Sequence, residues 1–223
     1  MVKRTAYREG FGNEIADGSF RLGEKYDHPE MSVTARKQEL PGYDPRGSQG
    51  MGLLYATSNK GASHMEGDVA YEEVFGVPVK ENPLTTEGKH ELVRHFENSF
   101  ALMDSSGLCV FVAIRYAFNK DRMILPLRVT EMMNLTTGAE YTPEEVMIAA
   151  DRVYTLERMF LIKAGSGPEF DTLPHRMLHE PLPDGPAKGK VVELDKMLPE
   201  FYKLRGWDEN GVPTKEKLEE LGL

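Results

Sequence analysis

A single cysteine, Cys109, stands among 223 residues. No internal disulfide can form, and no multi-cysteine metal site can be built from this chain alone, which argues against a disulfide-stapled secreted fold. No apolar run approaches the roughly 18 residues that a spanning helix needs, so no membrane contact is expected. Residues 1–10 contain neither an apolar core nor a cleavage site of the kind that marks a secretory signal, and a reducing, cytoplasmic setting is the expectation. A strongly basic block is also missing. Lys and Arg together number 27 against 36 Asp and Glu, for a formal net charge of −9, which disfavours nucleic acid as a partner. Charges of both signs are mixed along the chain, so the acidity reads as solubility. Neither the GxxxxGK[ST] loop nor the GxGxxG fingerprint occurs. Strand signal is sparse, and no internal repeat is found.

What is present is a hydrophobic content of 40%, enough for a real core in one large domain or two small ones. The pattern predicts a mainly α, irregular multi-helical fold. Tyr7, Phe11 and Ile15 fall at i, i+4 and i+8, an amphipathic helical stripe that begins almost at Met1, weakened by Gly10, Gly12 and Gly18. Met31 to Leu40 reads as a short strand or extended segment. Glu91 to Met103 places Leu92, Phe96, Phe100 and Met103 on one helical face. Val110 to Ile114 reads as a buried helix, with a strand as the alternative, and Pro126 can open another short helix. The clearest helix runs from Pro143 to about Ala164. There Thr142 and Glu145 make a capping box, Pro143 sits at the first helical position, and Gly165 is a plausible terminator. Its expected apolar stripe is Val146, Ala149, Val153, Leu156 and Phe160. A Pro-rich connector, 180–186, leads to a helix over Leu194 to Leu204, and Thr214 caps a last one ending near Leu221.

Three stretches could carry chemistry. The segment from Asp44 to Met65 is rich in glycine and in small, hydroxylic residues, which permit close approach to a bulky ligand; composition alone favours a tight structural loop. His64 at its end is the best acid/base candidate, although a lone histidine more often serves only as a hydrogen-bonding group. In Asp104-Ser-Ser-Gly-Leu-Cys109, a carboxylate able to accept a paired N–H edge, a glycine turn and a thiol stand close together. A thiolate there would suit a soft metal or an iron–sulfur cluster. Spacing alone favours the plainer reading, a capping aspartate before a helix that buries a free cysteine. His90 and His95 stand one residue too far apart for an HExxH helix. His175 and His179, spaced i, i+4, lack a clear third ligand and read as solvated.

Taken together, these segments resemble a known family. The run from Leu40-Pro-Gly-Tyr-Asp-Pro-Arg-Gly to Ala-Ser-His64, the motif Asp104 to Cys109, and the tail from Asp171-Thr-Leu-Pro174 through Leu204-Arg-Gly-Trp to Pro213 look like stretches of the tungsten-dependent aldehyde:ferredoxin oxidoreductases. The resemblance covers essentially the whole chain. It implies the helical C-terminal domains of that family, with residues 1–85 closing its second domain and residues 86–223 forming its third. It implies a tungsten (or molybdenum) bis-pterin cofactor and a 4Fe-4S cluster, with Cys109 as one cluster ligand. Asp104 matches the pterin-binding aspartate, Gly107 and Leu108 match the turn whose backbone meets the pterin, and His64 matches the histidine near the metal. The implied reaction takes an aldehyde to a carboxylic acid and passes electrons to ferredoxin.

The departures from the family pattern are as informative. The β-rich, pterin-binding N-terminal domain and the CxxCxxxC group that supplies the other cluster ligands are not in this sequence, so they are expected in cis or on a separate subunit. Glu66 stands where the family usually carries a basic side chain. That substitution keeps open a second reading, a non-catalytic interaction or structural protein of the same fold with decayed cofactor sites.

Overall fold

The computed structural model describes residues 1–223. The expected N-terminal stripe is broken into three short helices, α1 (Val2–Ala6), α2 (Phe11–Ile15) and α3 (Gly18–Lys25). Arg8, Gly10 and Gly18 all take positive φ, at 54°, 54° and 86°, which reverses the chain before a continuous helix can propagate. Tyr7 and Phe11 are exposed as a result. A two-residue hairpin follows, β1 (Thr34–Ala35) antiparallel to β2 (Gln38–Glu39). The extended reading of Met31 to Leu40 is met by this hairpin alone.

The segment expected to be a loop is instead the central helix of the fold. α4 (Gln49–Thr57) buries all nine of its residues. Small residues are what allow it there: a Cβ on Gly52 would stand 2.5 Å from a Val192 methyl, so the neighbouring chain crosses directly against the helix backbone. Tertiary packing overrides the weak local propensity of a glycine-rich stretch. The start of α4 is tied by Glu73 of α5 (Ala70–Glu73), whose carboxylate accepts from the Gly50 amide at 3.0 Å and from the Ser48 hydroxyl. The buried ammonium of Lys89 stands 2.7 Å from the same carboxylate, so this carboxylate is compensated on every side.

Four helices follow: α6 (Lys89–Ser105), α7 (Val110–Ala117), α8 (Ile124–Thr137) and α9 (Pro143–Lys163). α6 buries Leu92, Phe96, Phe100 and Met103, as its spacing predicts. α7 is a helix but only partly buried: Ala113 and Ala117 are enclosed and Val110, Ile114 and Tyr116 pack against the core, while Phe111 and Val112 are 79% and 67% exposed. α8 starts two residues before Pro126 and is longer than predicted. The capping box of α9 is formed, with the Glu145 amide donating to Thr142 Oγ1 at 3.2 Å and the Thr142 amide donating to Glu145 Oε2 at 2.8 Å. Its inward face differs from the predicted stripe. Leu156 and Phe160 are exposed, and the buried side chains are Val146, Ala150, Asp151, Tyr154, Thr155 and Arg158.

Three further helices complete the chain, α10 (His175–His179), α11 (Leu194–Arg205) and α12 (Lys215–Leu221), and charged residues can occupy the inward face of α9 because they meet partners on α11, on α12 and in the segments around Asp171 and Gly211. Arg158 donates to both oxygens of Asp171, at 2.8 and 2.5 Å, and to the Gly211 carbonyl at 3.1 Å. Arg36 and the Tyr202 hydroxyl also donate to Asp171. Arg205 of α11 donates to Glu97 at 2.5 Å, to Asp151 at 2.9 Å and to the Asn98 side chain at 2.6 Å. Lys217 adds an ion pair to Asp151 at 2.9 Å. Burial alone would push the Asp151 carboxyl up; Arg205, Lys217 and Arg94 more than offset it and leave it below the ordinary value. Around these networks a single apolar cluster runs from Ala35 to Trp207.

Two predictions follow from this packing. Removing one partner of a buried, hydrogen-bonded ion pair strands the other charge, so Arg205→Met should lower unfolding free energy by about 3–5 kcal/mol in a denaturant titration. The second concerns acid. Burial, with help from Arg122, pushes the His95 imidazole down to about 4, so the fold favours the neutral ring. That stability is fully present above the unfolded value near 6.5 and is lost as pH falls through 4. Between pH 7 and pH 4.5 the wild-type chain should lose on the order of 2 kcal/mol through this group, and His95→Gln should show a correspondingly flatter profile in denaturation measured at the two pH values.

Candidate cofactor-facing site

Asp104 lies in the last turn of α6, with its side chain 62% exposed. The helix ends through Gly107, whose φ of 70° is open to glycine at little steric cost. The Leu108 amide closes back on the Met103 carbonyl at 3.0 Å, and the Gly107 amide on Asp104 at 3.1 Å, the helix-ending pattern that a left-handed residue permits. Leu108 packs against the core and fixes the exit direction. Cys109 is then the capping residue at the start of α7, and it is exposed. The plainer sequence reading, a capping Asp104 and a buried Cys109, is therefore overturned: Asp104 ends one helix, and the thiol opens onto solvent at the start of the next.

His64 sits in a 3-10 turn over His64–Glu66, started by Ser63, whose hydroxyl accepts from the Met65 amide. The edge of the ring stacks against Tyr43 at 5.6 Å between centroids and 70° between planes. This loop is held from two sides. Asn59 donates to the Tyr154 carbonyl of α9 at 3.1 Å and to Glu157 at 3.2 Å. Gly61, at φ 92°, lies so close to β1 that a Cβ would come within 2.7 Å of the Ala35 carbonyl.

The two stretches meet through a residue that the sequence did not single out. Lys60 Nζ stands 2.5 Å from Glu66 Oε1 and 3.6 Å from Asp104 Oδ2. Burial pushes the Glu66 carboxyl up against the pull of Lys60. Burial also works against the Lys60 charge, but Glu66 and Asp104 outweigh it and hold the ammonium above its ordinary range. The structure thus brings Asp104, Lys60 and Glu66 together, with His64 in the same turn as Glu66 and Cys109 just beyond the Gly107 turn. Sequence reasoning missed Lys60, because reading the Asp44 to Met65 segment as a loop gave no face on which to place it.

The other histidines go elsewhere. His90 pairs with Glu91 at 3.1 Å, and His95 packs edge-on against Phe96. His175 and His179 are exposed, with rings 4.6 Å apart. No group of three or more potential metal-binding side chains gathers in the chain, so Cys109 can supply one ligand of a metal site rather than a site. No helix is long and apolar enough to cross a membrane.

The sequence model of a family described as aldehyde ferredoxin oxidoreductase, domains 2 and 3, matches residues 1–223. The chain is 44% identical over its full length to the tungsten-containing aldehyde ferredoxin oxidoreductase of Pyrococcus furiosus and 41% identical to that of Thermococcus kodakarensis, and it spans 36% of each. A more distant relative, an aliphatic sulfonate oxidoreductase WOR-like subunit of Pyrococcus furiosus, is 28% identical over 97% of this chain and is covered over 33% of its own length. Among solved structures, the active site complex BamBC of benzoyl coenzyme A reductase with 1,5-dienoyl-CoA superposes with a TM-score of 0.68 at 20% identity. That match covers all of this chain and 38% of the other and shows a shared fold. The chain spans about a third of the length of the curated relatives it matches, and it belongs to the aldehyde ferredoxin oxidoreductase family.

Proposed function

We propose that this chain is the C-terminal part of an oxidoreductase that converts aldehydes to carboxylic acids in a cytoplasmic setting and passes the electrons to ferredoxin. The observation that carries the reading is the Gly107 turn, which holds the Asp104 carboxylate and the Cys109 thiol outward at the facing ends of two helices. An exposed thiol and a half-free carboxylate fit the groups the family uses. Cys109 would ligate a 4Fe-4S cluster, and Asp104 with the backbone of Gly107 and Leu108 would hold a pterin of the tungsten (or molybdenum) cofactor. When bound, those groups supply the two-electron redox chemistry. The exposed Phe111 and Val112 next to Cys109 suit a face covered by the pterin-binding N-terminal portion, present in cis or as a separate subunit. In this reading residues 1–85 complete the family's second domain and residues 86–223 form its third.

The chain's own chemical contribution is proton handling and orientation. Oxidation of an aldehyde by water releases two electrons and two protons along with the acid. His64, set in a pinned turn against Tyr43, can accept a proton at an imidazole nitrogen or orient the carbonyl oxygen. Lys60, held between Glu66 and Asp104, provides a fixed positive charge beside the proposed pterin contact. Glu66 is the feature that favours the second reading, a non-catalytic protein of this fold. The pairing with Lys60 counts against it, because a cation from a neighbouring position stands beside the acid.

In the complete enzyme, aldehyde-dependent reduction of a viologen dye together with metal analysis tests the proposal; a metal-free, inactive assembly refutes it. Cys109→Ser should lose or remodel the cluster, and an unchanged cluster EPR spectrum would remove Cys109 from the ligand set. His64→Asn should lower turnover by about 10²-fold or more, the usual scale for loss of an acid/base group, with near-normal turnover excluding it from proton transfer.

A further inference from the structure

Lys60 is the only cation paired with Asp104. Its ammonium stands 2.5 Å from Glu66 Oε1 and 3.6 Å from Asp104 Oδ2. The lysine side chain is 57% exposed and that of Asp104 62%, and a pair this open adds little to stability. Both the charge and the backbone of Lys60 are nevertheless held in place. Glu66 is buried, and a buried carboxylate needs a partner to stay ionised; Lys60 is its ion-pair partner. The Lys60 amide donates to Ser58 Oγ at 3.3 Å. Asn59 before it is bonded to the Tyr154 carbonyl, and Gly61 after it lies against β1. Glu157, the other acid near Lys60, accepts from Asn59 at 3.2 Å. Lys60 is thus anchored by one acid and set beside another, an arrangement that stability does not explain.

We propose that Lys60 is a specificity-determining residue: beside the Asp104 carboxylate, its ammonium completes a receptor for the 2-amino-4-oxopyrimidine edge of a pterin. This deepens the reading of Asp104 as the pterin contact and rests on it. A carboxylate only accepts, so it can take the two adjacent N–H groups of that edge, at N3 and at the 2-amino group. The next atom along the edge is the O4 carbonyl, which needs a donor. An ammonium carries three rotatable N–H donors and no acceptor. Glu66 engages one of them, which leaves donors for Asp104 and for a ligand oxygen next to it. A 2,4-diamino ring lacks both features. Its N3 carries no proton, and its 4-amino group offers donors where Lys60 needs an acceptor, so both partners select against it.

The test titrates the 223-residue chain with 6-hydroxymethylpterin and with 2,4-diamino-6-hydroxymethylpteridine at pH 7, following pteridine fluorescence. The wild type should bind the pterin saturably and the diamino ring about tenfold more weakly, the scale of one hydrogen bond to a charged group. Asp104→Asn should abolish pterin binding, which locates it at this site. Lys60→Met alone would strand the buried Glu66, so it is combined with Glu66→Gln. The double variant should weaken the pterin about tenfold and leave the diamino ring unchanged, whereas a merely structural loss weakens both alike. Lys60→Arg, which keeps the charge and the donors, should retain the preference. No saturable pterin binding, pterin binding that survives Asp104→Asn, or a preference untouched by the double variant overturns the proposal. A wild type without preference overturns it even where the double variant fails to fold. Selectivity lost with Lys60 in a chain whose assembled enzyme oxidises no aldehyde refutes the functional reading alone. An active assembled enzyme whose chain shows no such selectivity refutes the role of Lys60 alone.

Discussion

Two guanidinium groups sealed from water, those of Arg158 and Arg205, set where the principal helices can lie. Each side chain has no exposed surface and is met by carboxylates on other elements, Asp171 for the first and Glu97 with Asp151 for the second. Taking such groups out of water costs several kcal/mol apiece, and attraction repays that only when the geometry is met closely and the remaining donors are filled. Most are filled here: Arg158 also reaches the Gly211 carbonyl and Arg205 reaches Asn98, with Nε of Arg205 left unpaired. An apolar contact tolerates sliding, whereas a forked pair does not. α6, α9, α11 and the segments around Asp171 and Gly211 are consequently locked in one arrangement.

That lock extends to the surface where chemistry is proposed. Glu97, the partner of Arg205, also accepts from Tyr154 and from Thr57 at the end of α4. Two residues beyond Thr57, Asn59 is fastened to α9. One continuous set of polar contacts therefore runs from the buried arginine to the loop that bears Lys60 and His64. α6, fixed by the same arginine through Glu97 and Asn98, carries Asp104 at its far end. Arg36 joins the second network. It sits with Lys37 at a hairpin turn where both residues take positive φ, at 48° and 65°, a strained choice for side-chain-bearing residues. The buried bonds of Arg36 to Asp171 and to the Ser166 and Gly167 carbonyls offset that strain and press β1 against Gly61 of the same loop.

Much of this was legible in the sequence where the signal is local. The Thr142–Glu145 capping box, the glycine that ends α6 and the apolar face of α6 all depend on neighbours within one or two turns. The candidate residues Asp104, Gly107, Leu108 and Cys109 were legible for the same reason, as one short motif. What escaped is set by distant partners. α4 has the composition of a loop and becomes a buried helix because Val192, Glu73 and α6 close around its glycines. α9 carries two charged residues on its inward face because their partners lie 13 and 54 residues further along the chain. Phe111 and Val112 read as core, although nothing within this chain covers them.

Glu66 shows how a residue can mislead in isolation and make sense in place. By itself, an acid where the resemblance leads one to expect a base suggests a site that has lost its ligand. In the fold the carboxylate is 8% exposed, and burying it alone would be unfavourable enough to protonate it. What keeps it there is the ammonium of Lys60, contributed by the preceding loop and directed by the same contact toward Asp104. A lysine side chain more than half exposed would otherwise sample many rotamers. Pairing with a buried acid removes that freedom and presents one positive charge at a defined place. The acid thus anchors the base, and a positive charge stands beside Asp104 although position 66 is acidic.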